Sequence, residues 1–539
     1  MEVSTLSTAD CHPITLLPGL HPLFLDFCAR APQARNFYGF DDRLWQARPP
    51  IPAHGSDLLE LIAEQNPQAT AAASLESLRQ GAGVVVTGQQ VGLFGGPLFT
   101  PFKAATALAR ARQATAQGKP HVAVFWVATE DHDFDEINHV TFPSRKELRR
   151  LAYVSAPATP VPVGRVVLDD SITGLLEEAW QLVGQSEAIE ALAEAYRPGR
   201  TFGEAFAEFY RKAFATSGLL VLDAGGRAAH RMGAPVLRAA LERADELHAA
   251  LQERNAALEA AGYHVQVAVA DQSSLLFLID AETGARVALK RTAPTAGEPD
   301  GLWHAGSDRF SNADLIGILE AEPERISPSA LLRPVFQDYL LSSSLTIGGP
   351  AEIAYFAQSA ELYGRILGRM TPVEPRLSAT LVEPPIGELL RKHELTLERI
   401  FSSGNADELA QLLAARAMPI EGKRKLAAAG NAMDTELDAL VEWLKAMDNG
   451  LGQSADTAAS KMRYQMNRLR QIAANFQLQK EESLKRHADA ISRAIYPDGV
   501  PQERVHGAAY YFGRYGFQLA ETLTEQAMDI CPGHKEIWL

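Results

Sequence analysis

Apolar positions along the chain fall into two regimes, one of short unbroken runs and one of spaced heptads. In the first regime, 83-GVVVT-87 is a continuous apolar run, the pattern of a strand buried on both faces. Four glycines come next in TGQQVGLFGG. Pro97 then opens a helix predicted to reach about Gln117 and to stop at Gly118. Next, 121-HVAVFWVAT-129 reads as a second buried strand. Strand, helix and strand in this order make a βαβ unit with a right-handed crossover.

Downstream, 218-GLLVLDA-224 reads as another strand after a helix over 203–216, and a helix is predicted from about Ala234 to Ala261. Strands are predicted at 264-HVQVAVA-270 and 274-SLLFLID-280, the latter pairing with 285-ARVALK-290 around Glu282, Thr283 and Gly284. Residues 331–367 read as helix, strand, glycine turn and helix. Residues 1–80 are mixed, with a Pro-rich turn at 48-RPPIPAHG-55 and a helical pattern from Ser56. The pattern is that of an α/β core with insertions.

The second regime runs from about Leu389 to Ala494. Met433, Leu437, Leu440, Leu444, Met447 and Leu451 are spaced as a heptad seam. After 449-NGLGQS-454, a second helix carries Met462, Met466, Leu469, Ile472 and Phe476, then Leu484, Ile491 and Ile495. Two long helices about a glycine turn predict an antiparallel coiled coil, a scaffold or dimerisation arm. These patterns divide the chain into a core over 1–384, a helical domain over 385–495, and a terminal segment over 496–539 that folds back on the core.

Composition narrows the function. At 539 residues and 46% hydrophobic content the chain can bury a large core. The net charge of −15 disfavours a broad duplex-binding surface, so no nucleic-acid partner is predicted. Cys11, Cys28 and Cys531 make neither a disulfide framework nor a zinc knuckle. The N-terminal stretch lacks a basic segment leading into an apolar one, and no spanning run occurs, so neither a signal peptide nor a membrane is expected. These features predict a cytoplasmic protein.

Three stretches carry candidate chemistry. The loop after the first strand should lie at the carboxyl edge of a parallel sheet, where helix starts and glycine backbones take anions. Thr87, Gly88, Gln89, Gln90, Gly92, Gly95 and Gly96 are its candidate binding residues, although the loop is neither a dinucleotide fingerprint nor a Walker loop. The second stretch, 130-EDHDFDEINH-139, comes directly after the second strand. Glu130, Asp131, His132 and Asp133 there could grip an amine and remove its proton, or bind a metal; no third ligand has a recognised spacing, so no metal site is assigned. An acidic helix start accounts for Asp135 and Glu136. Third, 346-TIGGPAEIAYFAQ-358 repeats the glycine-capped helix start, with Gly348, Gly349 and Glu352, after Gln337 and Asp338 in 333-RPVFQDYL-340. Ser460-Lys461-Met462-Arg463 has the look of a synthetase lysine loop but sits at a heptad position, so it is read as structural.

TGQQVGLFGGPLFTPFKA, FWVATEDHDFDEINH and RPVFQDYL…IGGPAEIAYFAQ, with the helical hairpin and the Gln502–Arg504 segment, resemble the cysteine-adding enzyme family of bacillithiol biosynthesis. The resemblance implies a Rossmann-like core with connecting insertions and a coiled coil that makes a homodimer. It also implies a ligase that adds cysteine to glucosaminyl-malate. Joining a carboxylate to an amine needs activation, which implies ATP, with or without Mg²⁺, through an acyl phosphate or an acyl adenylate. Lys103 would neutralise developing charge, and Asp131, His132 or Asp133 would accept the amine proton. Gln89, Gln90 and Gly92 stand where related synthetases carry an H-x-G-H signature. A synthetase-like or nucleotidyl-transferring enzyme acting on another amine, and a noncatalytic nucleotide-binding scaffold, are the competing readings.

Overall fold

A computed structural model describes residues 10–39, 55–292 and 302–539. The Pro-rich turn at 48–55 lies almost wholly outside the described residues. The core is a five-stranded parallel sheet of β1 (Gly83–Gln90), β2 (His121–Ala128), β3 (Leu220–Asp223), β4 (Leu345–Gly348) and β5 (Val373–Pro375). Its order is β5-β4-β1-β2-β3. Alternate residues enter opposite cores: Val85, Phe125 and Ile347 on one face, Val84, Val86 and Trp126 on the other. Burial on both faces is why these strands read as unbroken apolar runs.

Several sequence expectations shift. Strand β1 extends through Gln90, in register with β2 up to Ala128, so Thr87 to Gln90 are strand residues. Helix α1 (Phe99–Ala116) starts two residues after Pro97. The predicted strand at 264–270 is irregular, because Gln358 ties up the backbone N–H and C=O of Val267 that a neighbouring strand would need. The predicted helix over 234–261 is two helices, Arg227–Glu242 and Ala244–Ala260. The 274–280 and 285–290 pairing holds, within a separate five-stranded sheet spanning residues 273 to 328.

Two helices flank the later strands: α2 (Arg333–Leu341) precedes β4 and α3 (Pro350–Leu367) succeeds it. The hairpin consists of α4 (Ile420–Met447) and α5 (Asn449–Lys480). Its turn is the single extended residue Asp448, which caps α5; the glycines predicted as the turn lie within α5. Gly452 is needed for close approach, since a Cβ there would fall 2.4 Å from Lys445 Cγ. The buried seam runs through Leu437, Val441, Ala459 and Met466, while Leu440, Met447, Leu451, Leu469, Ile472 and Phe476 are exposed. Many of the predicted heptad positions therefore face outward.

The C-terminal segment returns to the core. His534–Trp538 pairs with Asp10–His12 and with Ala379–Val382. A disulfide joins Cys11 to Cys531, a pairing that their separation of 520 residues conceals in the sequence. Cys28 is free, and burial pushes its thiol up to about 12. No helix among the described residues is long and apolar enough to cross a membrane.

Candidate active site

Strand order reverses between β1 and β4. In an open parallel sheet the crevice beyond that point is where ligands bind. A cavity of about 310 Å³ lies there, lined by Gly88, Gln89 and Gln90 of β1, Trp126 and Ala128 of β2, and Gly349 and Glu352 at the start of α3.

Lys103 reaches back from α1, as expected, but all three of its protons are committed. Nζ donates to Gly88 O and Gln89 Oε1, each at 2.8 Å, and pairs with Glu352 Oε2 at 2.5 Å. Burial lowers the Lys103 pKa and Glu352 opposes the shift. Glu352 also accepts the Gly349 N–H at 2.7 Å. The pair thus braces β1, α1 and α3 around the cavity floor.

Gln90 donates to Asp131 Oδ2 at 2.6 Å and lies 3.5 Å from Glu136 Oε2. Asp131 Oδ1 accepts the His132 N–H at 2.7 Å. Burial disfavours the charged Asp131 carboxylate, but Arg333, Arg286 and the Gln90 hydrogen bond outweigh it and hold the pKa below the usual range. Glu136 goes the other way: burial, then Asp131 and Asp133, raise its carboxyl. Neighbouring carboxyls with divergent affinities for a proton suit acid–base work.

Arg286 decides the state of His132. Its guanidinium stacks on Phe277 at 3.6 Å, is held by Ser327 Oγ and Pro328 O, and donates from Nη1 to His132 Nδ1 at 3.0 Å. Arginine has no acceptor to offer, so Nδ1 carries the lone pair and Nε2 the proton. Burial and Arg286 both lower the His132 pKa. His132 is therefore a neutral donor rather than the base expected of it. Asp133 does not line this cavity; it caps the short helix Phe134–Ile137 by accepting the Glu136 N–H.

The other predicted residues lie outside this cavity, Gln337 excepted. Glu130 is buried against His230 at 3.1 Å; burial opposes its ionisation, but His230 brings its pKa to about 2. Thr87 is fully buried and donates to Ile347 O. Gly92, Gly95 and Gly96 face away from the cavity. The Tyr196 hydroxyl bridges Gly92 O and Gly95 N, Tyr210 donates to Gly95 O, and Ala508 N donates to Gly96 O. Helix α1 starts against His506, whose carbonyl accepts the Leu98 N–H, while Phe99 of α1, Arg333 and Pro334 of α2 and the start of α3 all line the cavity. Gly348 accepts the Arg376 N–H, Gln337 lines the cavity, and Asp338 is buried outside it near Arg369.

Arg333, Arg376 and Arg504 also line the cavity and were not singled out as site residues. Arg376 is locked by the buried carboxylate of Glu503 at 2.6 and 3.0 Å. The Nε atoms of Arg333 and Arg376 are buried without a hydrogen-bond partner. Two orphaned guanidinium N–H groups beside one cavity fit an anionic ligand. Among the described residues, no group of three or more His, Cys, Asp or Glu is placed to hold a metal.

A Rossmann-like sheet whose strand ends gather carboxylates and guanidiniums, joined to a helical hairpin, defines a Rossmann-like α/β protein with a helical arm. Residues 7–377 match the family described as bacillithiol biosynthesis BshC, N-terminal Rossmann-like domain, and residues 379–537 match its C-terminal coiled-coil domain. The chain is 39% identical over 541 residues to a protein of Koribacter versatilis, covering 98% of this chain and 99% of that one. It is 33% identical to a relative in Solibacter usitatus (96% and 97% covered) and 30% identical to one in Salinibacter ruber (97% of each). All three carry the name "Putative cysteine ligase BshC". The chain belongs to the BshC family.

Proposed function

We propose that this enzyme joins the carboxyl group of cysteine to the amine of glucosaminyl-malate, forming an amide in the last step towards bacillithiol. One observation carries the reading: Asp131 is held ionised at the strand ends, beside two buried guanidinium N–H groups that lack partners. The anionic groups would sit against Arg333, Arg376 and Arg504, and the amine against Asp131. ATP, with Mg²⁺, would activate the carboxyl group when bound. Asp131 receives the amine proton, and Glu136, linked to it through Gln90, is the next acceptor. His132 Nε2–H offers a neutral hydrogen bond to developing negative charge.

The outward apolar stripe of the hairpin supports a homodimer through the coiled coil, and substrates of this kind argue for the cytoplasm as its compartment. The test is a mass-spectrometric assay of the purified protein with cysteine, glucosaminyl-malate and Mg-ATP, following thiol and nucleotide together. Amide product in step with AMP or ADP is expected, and the nucleotide formed identifies the activation chemistry. Nucleotide turnover without amide would point to another acceptor.

A further inference from the structure

A second cavity, of about 730 Å³, lies beside the first. The two share only Asp131, Ala330 and Arg333 in their walls. The larger one runs between the helices at 227–260 and the antiparallel sheet, and its size suits a ligand of disaccharide dimensions. Leu251, Val267, Leu275 and Phe277 give it apolar walls. Polar groups gather at two places. At the shared wall stand Asp131, His132, Arg286 and Arg333. At the far side Lys290 is exposed, and Arg291 is matched by Asp245 through contacts of 2.7 and 2.8 Å.

A condensation needs two molecules to meet at one point while each is held in its own space. The chamber at the sheet switch point takes the activated carboxyl component, by its place in the fold. The partner must then reach Asp131 from elsewhere, and the larger chamber is the space that opens onto that carboxylate. Its chemistry fits an amine acceptor. A carboxylate at the shared wall receives an ammonium, Lys290 beyond it receives a carboxylate, and apolar walls suit the C–H faces of a sugar ring.

We propose that this larger chamber is the acceptor subsite, and that it takes a primary amine borne on a hydroxylated, carboxylate-carrying molecule. The proposal rests on the condensation reading above. At the shared wall the ammonium gives its proton to Asp131. The freed nitrogen lone pair forms the C–N bond as the bond from the activated carboxyl carbon to its nucleotide-derived leaving group breaks; that group departs with the electron pair, and the second proton shed by the nitrogen as it becomes an amide leaves on the departing phosphate.

Ala288 and Lys290 are exposed on the chamber wall and lie outside the reacting cluster. Calorimetric titration of glucosaminyl-malate into the full-length protein, with cysteine and a nonhydrolysable ATP analogue present, is the test. Ala288→Trp should fill the chamber and weaken acceptor binding at least about tenfold, equivalent to about 1.4 kcal/mol. The affinities for cysteine and for the ATP analogue should stay within about twofold of wild type. Lys290→Glu, a surface charge reversal, should act in the same direction and covers the case in which the tryptophan variant does not fold. Unchanged acceptor affinity in the folded variants, or a loss falling on the ATP analogue instead, would overturn the assignment. Absence of amide from a wild-type enzyme that binds the acceptor in this chamber would sink the reaction reading alone.

Discussion

At the scale of single residues, Asp131 is where the forces meet. Arg333 lies 3.9 Å from its carboxylate and, after burial, is the first influence on its ionisation. Asp131→Asn should cut turnover at least about tenfold, the low end of what proton transfer by a side chain contributes, with the fold intact by circular dichroism. If Asp131 must be ionised to act, activity is lost as pH falls through its depressed pKa. Removing the Arg333 charge raises that pKa, so in Arg333→Gln the acid limb of kcat/KM should move upward by about 1 pH unit, and Arg333→Lys should largely restore it. A limb that does not move would free Asp131 from the proton-transfer role. His132→Gln retains a donor and should cost less than Asp131→Asn in the same assay. The acidic cluster and the strand-end amides were legible because an unbroken apolar run puts the residues at its carboxyl end on the sheet edge. The division of labour among them was not. Gln90 orients a carboxylate, Asp133 caps a helix and Glu130 pairs with His230, all through partners distant in sequence or through backbone geometry. Arg376 escaped, and Arg333 and Arg504 were seen only as members of their motifs, because an arginine gives no periodic signal; only the fold brings the three to one cavity.

At the scale of elements, a heptad spacing names two seams but does not say which partner each meets. In α4 and α5 the stripe through Leu437, Val441, Ala459 and Met466 closes the hairpin on itself. Arg463 reinforces it across the helices, at 3.1 Å from Asp434 and 2.5 Å from Asp438. The stripe with Leu440, Trp443 and Met447 is left outward, at 49%, 59% and 61% exposure, and a second copy would cover it. Leu440→Glu combined with Trp443→Glu should convert a dimer to a monomer in sedimentation velocity while leaving the helical circular dichroism intact. A wild-type monomer at micromolar concentration would remove the dimer reading. The parallel strands were legible for the opposite reason: burial on both faces leaves a run that needs no partner to be recognised. The stretch at 264–270 alternates like a strand yet is none, because the Gln358 side chain meets the backbone groups that a ladder would use.

At the scale of the whole molecule, the C-terminal segment fastens the core to the helical domain with buried polar groups. Glu503 is 3% exposed and binds Arg376, Ser378 Oγ and Ala379 N together. His534 lies between Ser378 and Thr380 at 2.8 Å from each hydroxyl, and His506 lies against Tyr511 and the Arg493 carbonyl. Burial lowers both histidines to about 4, Glu503 opposing the shift at His534 and the Arg493 carbonyl at His506. The unfolded chain binds these protons near pH 6.5, so it takes them up first as pH falls. The stability they contribute is complete above about pH 6.5 and is lost as pH falls towards about 4. Glu503, also held below its ordinary value, loses its contribution at the acid end of the same descent. His230 runs in reverse: its raised pKa gives stability below about pH 6.5 that is lost as pH rises through the folded value. His506 and His534 act against His230 in this window, and His21, His121, His132, His139, His393 and His487 are also lowered by burial, so the midpoint of urea unfolding should fall between pH 7 and pH 5. Glu503→Gln leaves the Arg376 charge buried without its counterion and should cost about 3 to 5 kcal/mol at pH 7, read from the same urea curves. A cost under about 1 kcal/mol would mean that the terminal segment is held by its apolar contacts, with the ion pair contributing no more than a surface pair does.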